Sequence, residues 1–131
     1  MVNSDTFAYV SLMDKVADAS WMRLSVISNN IANGDTPYYK RSDVSFQDIL
    51  ENEITKTKYS SIDNAVKSMD YNDLEPYIYI DADNYSYRLD RNNVDIDTEN
   101  VELASEQLRY QAITTAINNE FSRFDTVTRA S

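Results

Sequence analysis

The sequence predicts a mainly α protein in which long N- and C-terminal helices pair as an antiparallel coiled coil, with a small irregular, β-containing central insert between them. Three observations carry that reading. Residues 5–32 hold neither proline nor glycine, and Tyr9, Met13, Val16, Ser20, Leu24, Ile27 and Ile31 recur at gaps of three and four, the spacing of one helical face. Residues 98–126 carry a similar pattern, with Tyr110, Ile113, Ile117, Phe121 and Phe124 on one face and Val101, Leu108, Ala112 and Ala116 beside it. The 33–97 stretch is of another character: weakly periodic, rich in tyrosine, and with 14 acidic side chains against 7 basic ones.

The first helix carries more apolar surface than one seam can cover, because Val10, Leu12, Trp21 and Val26 lie outside its main stripe. A second contact surface is therefore expected on it. It ends where NNIANGDTPYYKRSDVSF begins to break the pattern, with Asn33 or Gly34 expected as a left-handed cap and Pro37 barring continuation.

In the insert, Ser45 and Asp48 resemble a capping box, and Phe46, Ile49, Leu50 and Ile54 follow at helical spacing, so a short helix is expected near 46–56. PYIYID at 76–81 and YSYRL at 85–89 alternate as strands do, which gives a possible hairpin over 76–89. Thirteen asparagines accompany a single glycine, and asparagine tolerates left-handed turns best among the other residues, so Asn92 and Asn93 are expected to make such a turn. Asp97 or Thr98 then caps the last helix, where Glu99 and Glu102 suit the positive end of the dipole.

Composition narrows the function. A chain of 131 residues fits one unit with one modest core. Cysteine and histidine are both absent, which removes disulfides, the usual zinc ligands and the commonest general base. One glycine cannot build a P-loop or a dinucleotide loop. A net charge of −10 disfavours nucleic acid and anionic lipid, and no apolar run suits a cleavable signal peptide or a membrane span.

Asp90, Asn92, Asp95 and Asp97 offer the oxygens a hard cation takes. A loop counted from Asn93 nevertheless puts Thr98 where an EF-hand needs glycine and Ala104 where it needs a bidentate glutamate. No metal, cofactor or catalytic residue is expected. Tyr77, Tyr79, Tyr85 and Tyr87 suit an interface better than a sugar or base platform, given their acidic surroundings.

Asn29, Asn30, Ile31, Ala32, Asn33, Asp35, Thr36, Tyr39 and Lys40 match a pattern N-N-(I/L)-A-N-x-D/N-T-x-G-F/Y-K, and the stretch closely resembles the amino-terminal signature of bacterial flagellar axial proteins of the rod and hook. DVSF at 43–46 and LDRNNVDIDTENVELASEQLRYQA at 89–112 are similar to the proximal rod members of that family. Two positions depart from it: Tyr38 and Arg91 stand where glycine is usual, and both bear on local turn geometry.

The resemblance implies a non-enzymatic structural subunit of the proximal rod in the periplasmic space, exported by the flagellar type III apparatus without a cleavable signal. It implies self-assembly with other rod proteins, and contact at the rod base with the export gate or a hook–basal-body adaptor. The implied assembly and helix-seam residues are Met13, Val16, Leu24, Ile27 and Ile31 with Leu108, Tyr110, Ile113, Ile117 and Phe121. The implied signature turn is Asn29, Asn30, Asn33, Gly34, Asp35, Thr36, Pro37, Tyr39 and Lys40. The alternatives are another small rod subunit or, in a different class, an acidic Tyr-rich binding module.

Overall fold

Long runs free of helix breakers become two long helices. In the computed structural model, which describes residues 3–56, 61–81 and 88–130, helix α1 spans Asn3–Ala32 and the last helix, α4, spans Ile96–Arg129. Between them lie a strand β1 (Ser42–Ser45), helices α2 (Gln47–Lys56) and α3 (Ile62–Ser68), and a strand β2 (Tyr77–Ile80).

The two long helices pack antiparallel. Asn30 of α1 meets Glu99 of α4, Arg23 meets Glu102, Trp21 lies 5.7 Å from Tyr110 ring to ring, and Phe7 stacks on Phe124 at 5.2 Å. Partners thus descend along one helix as they ascend along the other.

Helix α4 starts earlier than Asp97 or Thr98 would place it. Asp95 is its N-cap, accepting from the Asp97 and Thr98 amides at 3.0 and 3.3 Å, so Ile96 is already helical. Helix α2 begins after Phe46, whose carbonyl accepts from the Leu50 amide. Ser45 belongs to β1, opposite Tyr77, and is not the flanking cap that a capping box requires.

Strand β2 takes a partner other than the one a local hairpin supplies. It pairs antiparallel with β1, Ser42 opposite Ile80 and Ser45 opposite Tyr77. Most of the expected second hairpin strand, residues 85–87, lies outside the described residues. Helix α3 was not anticipated: Ser61 caps it by accepting from the Asn64 amide, and it buries Ala65 and Val66.

The insert has its own apolar cluster on the flank of α1. Phe46, Met69 and Leu74 close on Ala19, with Leu12, Val16, Ile49, Leu50, Ile54 and Tyr71 packed around them. Part of the surplus apolar surface of α1 is thus covered within the same chain. Val26 is buried as well, whereas Trp21 stays 63% exposed.

Neither Asn33 nor Gly34 is left-handed. The two non-glycine residues with positive φ are Tyr38 (63°) and Arg91 (61°), the positions where the signature departs from glycine. An L side chain in that region costs about 1–2 kcal/mol, so the junction keeps its backbone path at the expense of strain. Gly34 is needed for close approach instead: a Cβ there would lie 2.8 Å from Ile96 Cδ1 and 3.2 Å from the Ile31 carbonyl oxygen.

Candidate assembly interface

The seam between α1 and α4 is polar where the insert joins it. Arg23 pairs with Asp43 at 3.1 Å, Glu102 at 3.1 Å and Glu106 at 3.3 Å, and Ser20 donates to Glu106. Arg41 pairs with Asp43 at 3.0 Å, Asp81 at 3.1 Å and Glu99. Asp43 therefore bridges two guanidinium groups, one from the helix pair and one from the insert.

Burial alone would push the Asp43 carboxyl up, but the Val44 amide and the two arginines outweigh it and hold its pKa below the usual carboxylate value. Burial likewise opposes the charge on Arg23 and Arg41, and their acidic partners outweigh it, raising both. The sheet and the two long helices are joined by these charge pairs, whose mutual attraction offsets the cost of burying them.

The signature loop is tied to the same hub. Asn30 is fully buried, and its amide nitrogen donates to the Ser42 carbonyl at 2.8 Å and to Glu99 at 3.0 Å. Its amide oxygen accepts from the Ser42 amide and the Tyr39 hydroxyl. Asn33 donates to the Asn29 carbonyl at 2.8 Å and accepts from Thr36. Lys40 reaches the Arg91 carbonyl, and exposed Asp35 pairs with Arg88 at 3.4 Å. Pro37 and Asn29 are exposed.

Asn92 does not make a left-handed turn but braces the turn that follows α1. Its amide nitrogen lies 2.9–3.0 Å from the carbonyls of Asn33, Gly34 and Thr36, just beyond the helix end at Ala32. Asn93 ties the sheet instead, accepting from the Arg41 amide and donating to the Asp81 carbonyl. Asp90 and Asp95 likewise accept from backbone amides.

A family model described as flagella basal body rod protein matches residues 21–40, the end of α1 and this loop. The chain is 38% identical over 107 residues to the flagellar basal body rod protein FlgB of Bacillus subtilis (strain 168), covering 81% of each chain. The chain belongs to the FlgB family. It is also 34% identical to FlgB of Borrelia hermsii over 127 residues, 90% of this chain and 93% of that one, and 33% identical to FlgB of Aquifex aeolicus (strain VF5), 82% of each.

In this FlgB-family chain the expected seam residues take several positions. Ile27 is 1% exposed, and Met13, Leu24, Ile31, Tyr110, Ile113 and Ile117 are half-buried. Val16 packs on the insert cluster. Leu108 and Phe121 are 69% and 54% exposed, as are Val101 at 70% and Val127 at 69%; Leu108 and Val101 share one side of α4, away from the Tyr110–Ile117 stripe. The buried Glu99 and Glu106 were missed because acidic residues read as solvated. The signal was present: Glu99, Glu106, Tyr110, Ile113 and Ile117 fall at helical spacing on one face.

Tyr77 and Tyr79 line an open cleft of about 710 Å³ between the sheet, α1 and α4. Tyr85 and Tyr87 lie outside the described residues. Among the described residues no group of side chains suits a metal ion, and no helix is long and apolar enough to cross a membrane.

Proposed function

We propose that this chain is a structural subunit of the proximal flagellar rod, built into a helical tube by its paired terminal helices and catalysing no reaction. It passes through the flagellar type III apparatus to the periplasmic space without a cleavable signal. There it joins further copies and other rod proteins, with the export gate or a basal-body adaptor at its foot. The FlgB relatives support the basal-body assignment.

The observation that carries the assembly is the outward apolar face of α4. Charged groups fill the inner seam near the insert, while Val101 and Leu108, seven residues apart and so on one side of α4, face solvent. At about 25 cal/mol per Å², covering a few hundred Å² of such surface contributes several kcal/mol before association costs. Leu108→Asp tests it: Leu108 is exposed, so the monomer keeps its fold, while the variant fails to restore rods in a host lacking the gene. Normal rods with Leu108→Asp would contradict the reading.

A further inference from the structure

The loop junction at the foot of the helix pair presents three large side chains to solvent. Tyr38 is 71% exposed, Leu89 is fully exposed, and exposed Arg91 makes no side-chain ion pair among the described residues. The Tyr38 amide donates to the Asp90 carbonyl at 2.9 Å, so the three sit together. Two of them hold left-handed backbone that glycine would adopt without strain. Among the described residues, neither the Tyr38 nor the Arg91 side chain makes a hydrogen bond or ion pair.

A surface of complementary character lies elsewhere on the same molecule. Asp14, Asp18 and Trp21 fall at gaps of four and three on one exposed face of α1, and neither aspartate is paired among the described residues. We propose that Tyr38, Leu89 and Arg91 form a knob that docks on the Asp14–Asp18–Trp21 face of a second copy. Arg91 meets the two carboxylates, and Tyr38 and Leu89 lie against the indole. The inference rests on the rod reading and deepens it by naming a contact.

The two patches are different surfaces, so the contact is heterologous, the kind that builds an open helix when its rotation does not close a ring, as a rod requires. Asp18 precedes the end of α1 at Ala32 by 14 residues, about 21 Å along the axis. Neighbouring copies are therefore displaced along α1 by roughly that distance.

The test is complementation of a strain lacking the gene, with basal bodies counted by electron microscopy. Arg91→Asp and Tyr38→Gly/Arg91→Gly are expected to lose rods, and Arg91→Asp combined with Asp14→Arg and Asp18→Arg is expected to regain them. The purified glycine variant should melt at or above the wild-type temperature, since it relieves strain; a lower melting point would make the loop a folding element and overturn the proposal. Rods lost on deletion but restored by every variant would overturn the knob and leave the rod reading standing. Failure of the charge-reversed triple variant would remove Asp14 and Asp18 as the receptor. Rods that survive the deletion would overturn the rod reading and the knob with it.

Discussion

The side-chain amide of Asn30 donates to the carboxylate of Glu99 at 3.0 Å, and both residues, 69 positions apart, are almost wholly shielded from solvent. This bond fixes the exit of α1 against the entry of α4. Because Asn30 also holds Ser42 and Glu99 also holds Arg41, one pair of side chains sets the angle between the helix pair and the insert.

Removing Glu99 should therefore destabilise the whole chain. Glu99→Ala leaves a buried amide short of an acceptor and takes one of three acidic partners from Arg41, a loss of about 3 kcal/mol. Glu99→Gln, which keeps an acceptor for Asn30, should cost less. Urea unfolding of the purified variants measures both, and equal midpoints for Glu99→Ala and wild type would contradict the hub.

Asn92 gives a sharper contrast. Asn92→Ala removes the donor shared by three carbonyls at the end of α1, for about 1–3 kcal/mol. Asn92→Asp should be worse, since it sets a negative charge against those same oxygens and the negative end of the helix dipole. Thermal melts that rank Asp below Ala below wild type would agree.

Gly34→Ala should cost about 1 kcal/mol or more through the clash with Ile96, a side chain on the first turn of α4. Ile96→Ala opens the space, so the double variant should lose less than the two single losses added together. A strictly additive double-mutant cycle would show that Gly34 is needed for another reason.

Acid should loosen the junction between the helix pair and the insert. The folded pKa of Asp43 lies below its ordinary value of 3.8, so its ionised form stabilises the fold. That contribution is complete above about pH 4 and disappears as pH falls through the folded value. Urea midpoints taken from pH 6 to pH 3 should drop, and Asp43→Asn should start lower and drop less.

The long helices were legible because their evidence is local: apolar spacing and the absence of proline and glycine. What escaped depended on distant partners. Strand β2 looks ready for a neighbouring hairpin, yet it pairs with Ser42–Ser45, a segment that reads in sequence as the end of the signature. Helix α3 offers only Ala65 and Val66 as buried positions, too few for a periodic signal. The single glycine suggested a left-handed cap, but the Ile96 side chain that explains it is 62 residues away, and the left-handed residues are a tyrosine and an arginine. The charge hub escaped for the same reason, since Arg23, Arg41 and Glu99 acquire meaning only once α1, β1 and α4 meet.

The central claim is that this chain is built into the rod through the outer face of its helix pair. The most direct measurement is electron cryomicroscopy of basal bodies from the native host, at a resolution that shows side chains. The account predicts this chain at the rod base with Val101 and Leu108 buried against neighbouring subunits. A rod without this chain, or one in which that face of α4 meets only solvent, would contradict it.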